Sequence, residues 1–491
     1  MRNHNSTFKI AVALSLGALT HNAAAIELFP SPTNLAGNLI TISAPDVENN
    51  AEPYENYGDI TITNGGKLTN TDSGEFTHIS GSFNINSGGR LANDGVFVID
   101  LVGQLDNAGI IDNNKKFKNS WSFWNLSAGV FNNNSGALLT NTRGLWNLGT
   151  VLNAGDFINS YDPISHGGGS LSNSSYWNNK AGSTFVNYAG VGNHVVMDNS
   201  GSMVNTTVFP GGGVGQGIFD NYHVLNNLSG GVVDNLHRWF NRTGASVINN
   251  SGTFNNGSGI YSLGMANEGT INNLAGGTFN NFTGLASAGQ INNAGDFIIN
   301  TGASVTDRSG VLGAYTQTAG LTKVNGSLAA TSIDIQGGSL MGSGTISGPV
   351  FLGAAAVVNP GNSPGTLTIN GNLTSNAKLI FEIAGLGAGQ YDELIINGAA
   401  LFSGGTLEFD FLPGFNAAAG NSWDFLFANS YSGQNNLNYI FNGLAPGLQG
   451  NVSFNADRWS LSVTSVPVPA AVWLLGSGLL GLLGVARHRA V

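Results

Sequence analysis

The sequence predicts an all-β chain: a parallel β-helix (solenoid) with a β-rich C-terminal cap, an N-terminal signal helix and one C-terminal transmembrane helix. Three observations predict it. The first is composition. Of 491 residues, 72 are Gly and 65 are Asn, while only 9% are charged and 13 are Pro. Disordered chains are rich in charge and proline and poor in aromatic residues. This chain has 27 Phe, 11 Tyr and 8 Trp, so it reads as folded, with unusual turn chemistry. The second is a repeat. "LNAGDFINS" at Leu152 returns as "NNAGDFIIN" at Asn292, "INNSGTFNN" at Ile248 is echoed by "LAGGTFNN" at Leu274, and Ile248, Ile271 and Ile291 stand 23 and 20 residues apart. A period just above twenty belongs to solenoids. The third is alternation with period two over short fragments, as where Val96, Val98 and Asp100 are set against Phe97, Ile99 and Leu101, with no useful amphipathic helix between the two ends. Short strands stacked turn on turn satisfy all three, since each turn buries its inward residues only against its neighbours.

Residues 1–25, "MRNHNSTFKIAVALSLGALTHNAAA", have the three parts of a secretory signal. Arg2 and Lys9 are a positive start, Ile10 to Leu19 a short apolar core, and Ala23, Ala24 and Ala25 a small-residue cleavage site, with signal peptidase cutting after Ala25. Residues 26–57 form a lead-in or N-terminal cap. Residues 58–300 are the Asn/Gly-rich repeats.

In the repeats asparagine has two expected jobs. It tolerates left-handed backbone and closes corners, and stacked in register it hydrogen-bonds into amide ladders. Glycine supplies the remaining positive-φ corners. Phe279 and Phe297 are expected inward, and the doubled Asn272-Asn273, Asn280-Asn281 and Asn292-Asn293 are expected as corners and ladder members. Charge at Phe279 should then disrupt the rod and changes at Ser287 should not. At ~21 residues per turn, Gly58 to about Asn370 makes roughly 15 turns and a rod of about 70 Å.

Residues 301–465 hold further turns and the cap. Their strands are longer and more regular: Leu367 and Ile369, then Leu379, Phe381 and Ile383, then Leu407, Phe409 and Phe411 alternate with polar neighbours.

Residues 466–491 read "VPVPAAVWLLGSGLLGLLGVARHRAV". The uncharged stretch 470–486 would span about 26 Å as a helix, near the minimum for a bilayer. Arg487, His488 and Arg489 follow, and by the positive-inside rule Arg487 and Arg489 act as a membrane stop that leaves the body outside. A proline pair ahead of the helix keeps its approach extended and open to a protease. Val466, Pro467, Val468, Pro469 and Ala470, the apolar helix and the basic finish together resemble a PEP-CTERM sorting signal of the V-P-x-P-A variant. Val468 stands where the family usually has an acidic residue. The resemblance implies an exosortase-like processing enzyme as partner, transient anchoring by the helix, and delivery to the surface or exterior in a setting of exopolysaccharide and biofilm. "NPGNSPGTLTINGNL" and "AGQYDELIINGAALFSGGTLEF", within about Gly342 to Phe427, resemble the end of autotransporter-type β-helical passengers. An autotransporter continues into a membrane β-barrel; a single helix takes that place here.

Chemistry is sparse. The chain has no Cys, which removes disulfides, thiolate metal sites and cysteine nucleophiles. Net charge is −11, and without Arg2, Lys9, Arg487 and Arg489 the balance is 13 basic against 28 acidic, a poor partner for nucleic acid. His78, His166, His194, His223 and His237 show no metal-ligand spacing, and there is no G-x-S-x-G elbow. No metal, cofactor or catalytic residue is therefore expected.

The alternative is a polysaccharide lyase or glycosidase on the same scaffold. Its candidates are Asp392, Glu393, Glu382, Glu408 and Asp410, weighed against polar faces of antiparallel strands; neighbours on a strand, such as Asp392 and Glu393, also point to opposite faces. Trp124, Trp146 and Trp177 each precede Asn, and Trp239-Phe240-Asn241 is close to that pattern. They are either a glycan-stacking strip or an inward ladder, and the inward ladder is favoured because Trp takes the apolar position of the repeat. The function expected is structural or adhesive within an exopolysaccharide matrix, not enzymatic.

Overall fold

In a computed structural model the chain is described over residues 33–162, 167–208, 215–257, 264–466 and 474–482. It is a right-through stack of parallel strands, a β-solenoid of about 15 turns. Each turn has three short strands, and each strand pairs in parallel with those one turn before and after. The first sheet contains Val96–Ile99, Lys116–Asn119 and Leu138–Asn141. The second contains Gln104–Asn107, Ser122–Asn125 and Gly144–Asn147. The third contains Ile110–Asn113, Val130–Asn133 and Thr150–Asn153. Ile248, Ile271 and Ile291 fall in register on the third sheet, as the repeat demands.

Most strands read polar–apolar–polar–Asn. Because side chains alternate across a strand, the second and fourth residues point inward together. The second residues build the core, with Phe254, Phe279 and Phe297 stacked at 5.0 and 4.9 Å. The fourth residues are asparagines with no solvent exposure, for example Asn113, Asn133, Asn153, Asn179 and Asn199. Burying so many amides is tolerable because each is satisfied. Asn133 Nδ2 donates to Asn153 Oδ1 at 2.7 Å and to the Asp156 carbonyl at 2.9 Å, while its Oδ1 accepts from Asn113 at 2.7 Å. Inner ladders donate toward the C-terminus.

The first residue of each doubled pair faces outward and makes a second ladder running the opposite way: Asn292 donates to Asn272 and Asn272 to Asn249, each at 2.8 Å. Most left-handed corners belong to glycine, such as Gly276 at φ 80°, with Leu101, Ser309 and Ser363 as exceptions; among the described asparagines only Asn64 has positive φ. Of the two jobs expected of asparagine, the ladder is thus the general one. Ser287 corrects another expectation. It is the fourth residue of its strand, 3% exposed, and Asn267 Nδ2 donates to its Oγ at 3.1 Å, so it is a ladder member and not a neutral position.

The stack starts at Thr33–Asn34, Leu39–Ser43 and Val47–Asn50, so the described part of the 26–57 lead-in already forms turns. Toward the C-terminus strands lengthen and run round corners. Ile333–Gly342 pairs first with Ala314–Gln317 and then with Leu321–Val324. The stack finishes in antiparallel pairings of Arg458–Ser465 with Ser422–Ser432 and Leu448–Phe454, closed over by Phe402, Tyr431, Phe454 and Trp459. The last described strands are thus antiparallel where the rest of the stack is parallel.

The two helical ends are not supported. Residues 1–25, with Ala23 and Ala25, lie outside the described residues. Of 470–486 only 474–482 are described, as a short exposed helix, and no helix among the described residues is long and apolar enough to cross a membrane.

Candidate glycan-facing site

The second sheet carries the chemistry. In Ser122–Asn125 and Gly144–Asn147, Phe123 and Leu145 are buried and Asn125 and Asn147 are ladder residues, so Trp124 and Trp146 must point outward. Their rings stack at 4.4 Å and 13°. Trp124 Nε1 donates to Ser122 Oγ at 3.1 Å. Trp146 lies down over Gly144, where any Cβ would sit 2.0 Å from the indole. Trp121, 40% exposed, stands just ahead of Ser122–Asn125 with the Arg143 guanidinium 5.6 Å from its ring centroid. Beyond Trp146 the outward column continues in register to Ser172 and Gly192. The small Ser172 leaves a step beside the indole.

Trp177 and Trp239 differ. Each stands two places before its ladder Asn, not one, and each is fully buried. The favoured inward ladder is therefore corrected for Trp124 and Trp146 and holds for Trp177 and Trp239.

A second feature marks the same sheet. Along its Asn ladder the step from turn to turn is 26 residues at Asn147–Asn173, 28 at Asn193–Asn221 and 26 at Asn241–Asn267, and 20 at each intervening turn. The extra residues fall in sequence between 160 and 169, 206 and 217, and 257 and 264, each time between a strand of the first sheet and the next strand of the second. Insertions gathered on one side of a solenoid commonly border its binding face.

The carboxylates form no matching constellation. Asp392 is fully buried, accepting from the Gly365 amide at 2.7 Å and the Glu382 amide at 2.9 Å. Burial pushes its carboxyl up to about 7, against the effect of those two bonds. Glu393 accepts from Thr366, Glu408 pairs with Lys378 at 2.6 Å, and Asp410 accepts from Asn442 at 2.6 Å. Glu382 and Asp410 are outward neighbours, but on parallel strands, not the antiparallel ones expected.

His78 takes an Asn place in the first-sheet ladder. Its Nδ1 accepts from Asn56 at 2.8 Å and Nε2 faces the Gly81 and Gln104 carbonyls at 3.1 Å, while burial holds its pKa below the usual value. His194 stacks on Tyr222 at 4.7 Å. His166 lies outside the described residues, among which no group of three or more His, Asp or Glu is placed to hold a metal. Val466 is 44% exposed and its amide donates to Gly447 at 2.8 Å. Pro467, Val468, Pro469, Ala470, Arg487 and Arg489 lie outside the described residues.

No family model matches this chain, and no curated protein is significantly similar to it.

Proposed function

We propose that this chain is an exported structural and adhesive β-solenoid of the cell surface or extracellular matrix. It is made with a cleavable signal ending at Ala25, held transiently by its C-terminal helix, and sorted near Val466–Ala470 by an exosortase-type enzyme. Its contact is exopolysaccharide, and it performs no catalysis. The observation that carries the adhesive reading is the outward Trp124–Trp146 stack beside Ser172. Both indoles are half-buried, and saccharide stacking covers the apolar surface they still show to water. The acidic balance of the body disfavours nucleic acid as the alternative polymer.

Glycan binding by the purified chain and by Trp124→Ala and Trp146→Ala tests it. Binding to an insoluble neutral polysaccharide should fall at least tenfold in each variant while the thermal midpoint holds; undiminished binding would remove the adhesive reading. Mass spectrometry of the mature C-terminus tests the sorting reading, which fails if residues 471–491 are retained and surface delivery does not need them.

A further inference from the structure

Four strand spacings along the same outward column from Trp146, about 19 Å at 4.8 Å per strand, stands Phe240. Beside it opens a cavity of about 290 Å³ lined by Arg238, Phe240, Met265, Ala266, Ala286 and Arg308. That is close to the lower limit of ~300 Å³ for small-ligand sites. The floor is low because the next two outward residues are Ala266 and Ala286. The rim is cationic, though the chain as a whole has a net charge of −11. Arg242 lies 3.8 Å and Arg308 5.7 Å from the Phe240 ring centroid. Both are fixed in place, Arg242 by Asp220 at 2.6 Å and Arg308 by Glu268 at 2.7 Å. Arg238 is exposed, and among the described residues its guanidinium has no hydrogen-bond or ion-pair partner.

We propose that this cavity binds a carboxylate-bearing sugar residue of an acidic polysaccharide, with the carboxylate on Arg238 and an apolar ring face on the Ala266–Ala286 floor beside Phe240. Two arginines are neutralised by their own acids, so one positive charge remains for one anionic group. A polyanion of higher charge density, such as nucleic acid, is repelled by the acidic body and finds at this cavity one unmatched cation. The low apolar floor of Ala266 and Ala286, beside a Phe240 ring that Arg242 covers on one face, suits a pyranose ring. The site rests on the adhesive reading above and gives it a ligand class, with Trp124–Trp146 and the Arg238 cavity as two stations on one strand of polymer.

Binding of the full chain to a polyuronate and to a neutral glucan of similar length, followed by affinity electrophoresis at low and at physiological salt, tests it. Polyuronate should bind more tightly than glucan, weaken with salt, and be lost at least tenfold in Arg238→Glu and severalfold in Arg238→Ala. Glucan retention should not change in either variant, and unchanged thermal midpoints verify the fold. Polyuronate retention in Arg238→Glu within twofold of the parent overturns the site. So does equal retention of the two polymers. If glucan binds through Trp146 but polyuronate does not bind, this site alone fails; if neither polymer binds, the adhesive reading fails with it.

Discussion

Asn226 and Asn227 are adjacent in one strand, Val224–Asn227, and test the inner ladder directly. Asn227 is fully buried; its Nδ2 donates to Asn250 Oδ1 at 2.7 Å and to the Thr253 carbonyl at 2.9 Å, and its Oδ1 accepts from Asn199 at 2.8 Å. Alanine at Asn227 leaves the Asn199 donor and the Asn250 acceptor stranded out of water. At ~1–3 kcal/mol for each unsatisfied buried group, the loss is about 2–6 kcal/mol. Asn226 also bridges turns, to Asp198 at 2.8 Å and from Asn249 at 2.9 Å, but on the outer surface. Water replaces those partners, so Asn226→Ala should cost under about 1 kcal/mol. A long repeat array need not unfold in one step, so a change confined to neighbouring turns is read locally as well as in the midpoint. Hydrogen exchange followed by mass spectrometry on peptides covering 196–205, 224–230 and 247–256 resolves it. Faster exchange confined to Asn227→Ala is expected. Equal effects from the two substitutions would refute the claim that the buried amides hold the stack together.

Phe279→Asp places a charge between Phe254 and Phe297 and should cost more than about 4 kcal/mol, seen as loss of protease resistance in the surrounding turns. Ser287→Leu removes the acceptor of Asn267 and should destabilise by about 1–3 kcal/mol in local hydrogen exchange, whereas an inert surface position would show nothing. Gly144→Ala drives a methyl into Trp146 and should shift indole fluorescence and reduce glycan retention with little change in the thermal midpoint. Asp392 has its folded pKa raised to about 7, above the unfolded value of 3.8. Between those values the folded chain holds a proton that the unfolded chain releases, so its contribution is present below about pH 4 and is lost as pH rises through 7, by at most about 4 kcal/mol. Asp392→Asn should remove that decline, measured as a thermal-midpoint difference from the parent that changes sign or size between pH 4 and 7.5.

The solenoid was legible because its period and its Phe and Ile positions are written openly in the chain. The role of asparagine was half legible: its spacing announced a ladder, but αL corners went to glycine, which bears no Cβ penalty. The tryptophans show what was missed. Sequence placed all of them by their neighbour Asn, whereas facing depends on distance from the buried fourth residue: Trp directly before it points out, Trp two before it points in. In "YWNN" the first Asn after Trp177 is the outward one, so the same dipeptide hides two registers. Ser287 was missed because a serine carries the ladder through its hydroxyl without resembling its neighbours. The Phe240 cavity left no local signal, since Arg308 and Glu268 meet across 40 residues and only the stacking of turns brings them together.

The one-way direction of the inner amides makes each turn a plug and socket. A turn offers the same donor to the next that it accepts from the last, so removing or duplicating one whole turn rejoins identical surfaces. The near-copies beginning at Ile248, Ile271 and Ile291 sit in such matched positions. Recombination between them would change the length of the rod while keeping the third-sheet Ile column and its buried Asn ladder in register. Reach therefore becomes a quantity that this protein can vary by whole increments of about 4.8 Å, independently of what its surface recognises.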